Sequence, residues 1–107
     1  MSYWVYLEKD NKTIQVNKHS EGGTFAVGGT NEAELNVTYN YSKHYSVKNL
    51  EGRKAKDTTK ELEEKVKEFG VERDSDYWSA TKGNVGYALS ILLSWAKEHP
   101  DAIWRIS

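Results

Sequence analysis

Between residues 33 and 41 the chain alternates with a period of two. Ala33, Leu35, Val37, Tyr39 and Tyr41 fall on one side, and Glu34, Asn36, Thr38 and Asn40 on the other. This pattern predicts a strand with one packed face and one polar face. Earlier in the chain, 4–7 (Trp-Val-Tyr-Leu) is short and rich in β-formers. Asp10, Asn11 and Lys12 form a turn signal, so 13–16 is expected to pair back as a hairpin. Gly22-Gly23 and Gly28-Gly29 bracket a further predicted strand at 24–27.

The period changes after residue 57. Leu62, Val66 and Phe69 stand at i, i+4 and i+7, one narrow apolar stripe. Thr58 and Glu61 have capping-box spacing, and Gly70 suits a helix end, so a surface helix is predicted over Thr59–Phe69. A second helix is predicted over Lys82–Glu98. Its apolar face is broad (Val85, Ala88, Leu89, Leu92, Leu93, Trp95, Ala96), as a central packing helix requires, and His99-Pro100 ends it. A final strand is predicted at 102–106. Residues 42–57 show no firm period and read as a long loop, with room for a short strand at 45–47. Strands followed by helices give an α+β domain: an antiparallel sheet of four to five short strands with two helices on one face. The 107 residues suit a single domain.

Composition narrows the function classes. Hydrophobic residues make up 37% and charged residues 29%, which is polar but able to form a core. There is no Cys, so neither disulfides nor thiolate chemistry is available. No signal peptide and no long apolar span is read, which predicts a cytoplasmic protein that does not engage membranes. The net charge of -1 argues against general nucleic-acid binding. That charge is unevenly spread. Lys43, Lys48, Arg53, Lys54 and Lys56 face only Glu51 across 43–56, whereas eight acids oppose four bases across 57–76.

Four features carry candidate chemistry. Glycine in the steps Gly22-Gly23-Thr24 and Gly28-Gly29-Thr30 lets backbone N–H groups approach a phosphate, although neither step matches a P-loop or a dinucleotide fingerprint and both also read as plain turns. The stripe of Asn36, Thr38, Asn40 and Ser42 offers donors and acceptors for an amide, a base edge or a sugar. Two strand Asn residues also run against local propensity, though such a face can simply be wet. Among the aromatics Tyr39, Tyr41, Tyr45, Tyr77, Trp78 and Trp104, whose faces can stack on a base, Tyr39 and Trp104 read as core, and Tyr77-Trp78 ahead of the long helix is the better pocket candidate. Thr81, Lys82, Gly83 and Asn84 open the long helix, where Lys82 can hold an anion and Thr81 can cap. The predicted ligand site is therefore Gly23, Thr24, Asn36, Thr38, Asn40, Tyr41, His44, Tyr77, Trp78, Lys82 and Asn84. His19, His44 and His99 have no metal-ligand spacing, so no metal and no cofactor is expected.

Residues 22–42, Tyr77-Trp78, Thr81-x-Gly83-Asn84, Ala88-Leu89 and Pro100-Asp101-x-x-Trp104 together resemble a group of small bacteriophage and prophage proteins. The resemblance covers the polar strand and the long helix. It implies a phage setting and action inside a bacterial cell, and it implies no reaction and no active-site residue. The expected function is a non-catalytic binder that counters host defence by sequestering a nucleotide-like signal, as a homo-oligomer whose second copy completes the pocket. One alternative is a protein–protein inhibitor or accessory protein that meets a host defence protein through the acidic helix (Glu61, Glu63, Glu64, Glu68, Glu72). The other is a small nucleotide-acting enzyme using His44, Tyr41 and Asn40.

Overall fold

The computed structural model of the chain describes residues 1–16, 32–76 and 78–107. Four antiparallel strands form one sheet: β1 (Ser2–Lys9), β2 (Lys12–Thr13), β3 (Glu34–Thr38) and β4 (Ile103–Ile106). Strand β1 pairs with each of the others. Val5 faces both Leu35 and Ile106, so β3 and β4 lie on opposite edges of β1. Glu8 faces both Thr13 and Ile103, which puts β2 on the same edge as β3. The hairpin between β1 and β2 turns on Asp10 and Asn11, with φ of 54° and 62°. Asn and Asp tolerate this left-handed backbone better than most residues.

The helices are α1 (Thr59–Phe69) and α2 (Lys82–Glu98), both with the bounds that the periodicity predicts. The inner face of the sheet (Val5, Leu7, Leu35, Val37, Trp104) is buried in one core with Leu62 of α1 and Val85, Leu89, Leu92 and Trp95 of α2. The fold is thus the expected α+β arrangement. Among the described residues, no helix is long and apolar enough to cross a membrane.

Several expectations change. The strand read over 33–41 stops at Thr38, and Tyr39–Lys43 coils into a 3₁₀ turn. Thr38 explains the stop: its hydroxyl accepts a hydrogen bond from the Asn40 N–H at 3.3 Å, a local bond that competes with strand pairing. Tyr39 therefore leaves the inner face and is 42% exposed, whereas Tyr41 turns inward. Residues 42–57 are not an open loop. They hold two more 3₁₀ turns, Val47–Leu50 and Ala55–Asp57, and bury Tyr45, Val47, Leu50 and Ala55 in the core. No strand forms at 45–47.

The capping box also fails to form. The Thr58 hydroxyl donates to the Ala55 carbonyl at 2.7 Å and accepts from the Trp104 indole N–H at 2.9 Å. Glu61 instead accepts from the Tyr45 phenol, and its other oxygen takes the Arg53 guanidinium at 3.1 Å. A buried indole N–H and a buried phenol must each find an acceptor, and Thr58, just before α1, and Glu61, in its first turn, supply them. The strand predicted at 24–27 and both Gly-Gly-Thr steps lie outside the described residues.

Candidate functional site

Helix α2 starts under close constraint. Thr81 has extended backbone, and its hydroxyl accepts from the Asn84 N–H at 3.1 Å, an ordinary N-cap. Two glycines one turn apart let the chain after α1 lie directly on this first turn. A Cβ at Gly83 would stand 1.9 Å from the Glu72 carbonyl oxygen, and one at Gly86 would stand 1.7 Å from that of Gly70. Neither distance is tolerable, so only glycine permits this packing.

Asn84 then fixes the connection between the helices. Its side-chain oxygen accepts from the Asp74 N–H at 2.8 Å, and its amide donates to the Asp76 and Ser79 carbonyls at 3.1 and 2.8 Å. With 2% exposure, Asn84 is a buried bracket for 74–79. Within that segment the Asp76 carboxylate accepts from the Trp78 N–H at 3.1 Å. The 3₁₀ turn at Tyr39–Lys43 docks alongside. Asn40 Nδ2 donates to the Trp78 carbonyl at 3.3 Å, and His44 Nε2 lies 2.9 Å from the Ala80 carbonyl. A carbonyl cannot donate, so this contact requires the proton on Nε2. The His44 ring also packs at 5.8 Å from the Phe69 ring.

An open cleft of about 380 Å³ lies where these parts meet, lined by Phe69, Glu72, Arg73, Asp74, Thr81 and Gly83. Arg73 lies over the Tyr87 ring, 4.6 Å from its centroid, a cation–π contact that positions the guanidinium. Burial raises the Tyr41 phenol above its ordinary pKa, with Arg73 lowering it and Asp76 raising it, so Tyr41 feels both charges of the segment. Trp78 remains 39% exposed.

The predicted residues are thus divided. Asn40, Tyr41, His44, Trp78, Lys82 and Asn84 come together around 74–84. Asn84 is a structural bracket rather than a free reading group, and Tyr41 is buried. Asn36 and Thr38 belong to the sheet, on the side away from the helices, and both are buried rather than wet. Thr38 caps the 3₁₀ turn. Gly23, Thr24 and Tyr77 lie outside the described residues. Arg73, Phe69 and Asp74, which line the cleft, were not anticipated, and Glu72, expected on the acidic helix, lies beyond its end and lines the cleft instead. The glycines at 83 and 86 carried the usable signal, because small residues one turn apart on a packing helix mark a close chain approach. Among the described residues, no group of His, Asp or Glu side chains is arranged to hold a metal ion. Compared with known protein families, curated proteins and solved structures, the chain matches none.

Proposed function

We propose that the protein is a non-catalytic binder whose ligand enters the cleft at the start of α2. The observation that carries this reading is the bracing of 74–80. Asn40 and His44 from the 3₁₀ turn and Asn84 from α2, two places far apart in the chain, hydrogen-bond to the backbone of this one segment. A braced segment that carries the partly exposed Trp78 and, in Asp74, one wall of an open cleft suits binding, because the ordering cost is met before the ligand arrives. The ligand proposed is a nucleotide-like molecule, with its ring on Trp78, the exposed aromatic of the braced segment, and its anionic part toward Arg73, the basic side chain that lines the cleft between Glu72 and Asp74. The setting proposed with it is a phage one: sequestration of a nucleotide signal used in host defence. An open cleft is well served by a second copy, so the working form is proposed to be a homo-oligomer.

The acidic-helix alternative has less support. Three of its carboxylates are already engaged, Glu61 by Arg53, Glu63 by Lys97 and Glu68 by Lys65.

Calorimetry with cyclic dinucleotides and ADP-ribose derivatives tests the proposal. Binding is expected, and Arg73→Ala and Trp78→Ala should each weaken it about tenfold, the loss of one stacking or charged contact. No heat with any nucleotide at high micromolar concentration would sink it. Recovery of a hydrolysed ligand after denaturation would favour the enzyme reading instead.

A further inference from the structure

The opposite side of the molecule carries a second surface. Alternation along β1 places Ser2, Trp4, Tyr6 and Glu8 on the sheet face turned away from the helices. The Trp4 and Tyr6 rings lie side by side, 6.4 Å between centroids and 21° from parallel. Trp4 is 37% exposed. Cross-strand pairing sets Asn36 against Trp4, and Glu34 and Arg105 on either side of Tyr6. The aromatic pair is therefore bordered by two carboxylates, Glu34 and Glu8. Their field shows at Tyr6: burial raises the phenol's pKa, and Glu34 and Glu8 raise it further.

Aromatic faces beside carboxylates are the chemistry of cation recognition. A phosphate backbone, by contrast, meets like charge there. One guanidinium already sits on this face. Arg105 spans Glu8 at 3.5 Å and Glu51 at 3.7 Å, both loose contacts. Glu34 forms no ion pair among the described residues. Asn36 adds an independent sign. It is 4% exposed, its Nδ2 donates to Ser2 Oγ at 2.8 Å, and its Oδ1 is buried without a donor. Native proteins rarely leave such an acceptor empty, and a donor sliding in beside the Trp4 indole would satisfy it.

We propose that this face docks a basic segment of a partner protein, with an Arg or Lys side chain lying over Trp4 and Tyr6 and its charge against Glu34. The site is separate from the α2 cleft, so either proposal can fail alone. The test is an amide-shift titration of the full chain with an acetylated, amidated peptide alternating Arg and Gly, with spermine and octathymidylate as comparison probes. The peptide should shift Trp4, Tyr6 and Glu34 and leave Asp74 and Gly83 in place. Glu34→Gln should weaken it about threefold and Trp4→Ala about fivefold, the scale of one exposed ion pair and one exposed cation–π contact. Trp4→Phe should restore most of the loss. If Trp4→Ala melts early, Glu34→Gln decides alone. Peptide shifts confined to Glu63, Glu64 and Glu68 would overturn the proposal, as would variants that bind unchanged. Tighter binding of octathymidylate at Trp4 would replace it with a nucleic-acid surface, and spermine binding as tight as the peptide would reduce it to an ion site.

Discussion

At the start of α2, Asn84 is buried and uses both ends of its amide on three backbone partners. On β3, Asn36 is buried almost as fully, yet only its nitrogen is engaged and its oxygen has no donor. The same side chain is thus a bracket in one region and a debt in the other. A buried amide stabilises when every lone pair and proton is used, and costs free energy when one is stranded. Asn84 is explained by structure alone. Asn36 is not, which is why it points toward something outside the chain.

Asn84→Ala should produce the largest effect. It strips three hydrogen bonds and releases 74–79, and a loss of about 2–3 kcal/mol is expected from the usual cost of stranding such groups. In a domain of this length that lowers Tm by roughly 10–15 °C. Amide exchange at Asp74 should accelerate well beyond the global change, and nucleotide binding should weaken with it. A drop of only a degree or two would make Asn84 no better supported than Asn36 and erase the contrast.

Glu61 is an intermediate case, partnered on two sides but a third exposed. Burial works against its carboxylate, yet the hydrogen bonds from Tyr45 and Arg53 outweigh it and hold the pKa below the ordinary 4.5. A depressed folded-state pKa contributes stability above the ordinary value and loses it as pH falls through the folded one. Acid titration should therefore show stability falling below about pH 4.5, and Glu61→Gln should remove about 1 kcal/mol of that slope at most, given its exposure. An unchanged acid profile in Glu61→Gln would disprove the link.

The smallest effect is expected at Asn36. Asn36→Leu removes the stranded oxygen and leaves only Ser2 to re-solvate, so stability should change by less than about 0.5 kcal/mol or rise. The same variant should weaken the basic peptide. A loss comparable to that of Asn84→Ala would show that Asn36 holds the sheet together and has no outward role.

Much of the architecture was legible because periodicity reports burial directly. Leu62, Val66 and Phe69 marked α1 to the residue, and the broad face from Val85 to Ala96 marked α2 as the packing helix. Tyr39 and Thr58 misled for one reason. Each lies where one pattern competes with another bond: strand alternation lost to the local Thr38 turn, and the capping box lost to the nearby Ala55 carbonyl and to the distant Trp104 indole. Residues 42–57 hid their burial because 3₁₀ turns have no period that a strand or helix template detects. The site was legible only as parts. Asn40 and His44 do reach the backbone of Trp78 and Ala80, but none of Asn40, His44, Trp78 and Lys82 lines the cleft, and nothing in one chain says that Asn36 and Thr38 stay behind on the sheet. Arg73 is silent in sequence, because its position depends on the ring of Tyr87 and on backbone closure over Gly83 and Gly86.

The place of β1 in the sheet governs the timing of assembly. β1 is made before all three of its partners, but its two edges are filled at very different times. Leu35 reaches Val5 once β3 has emerged, whereas Ile106 reaches it only after both helices are made. Until then, one edge of a strand that carries Trp4, Val5, Tyr6 and Leu7 stays open, and open apolar edges recruit other chains. Pairings so distant in sequence also slow folding. Nascent chains stalled before residue 103 should therefore be captured by chaperones, and release of the last strand should free them.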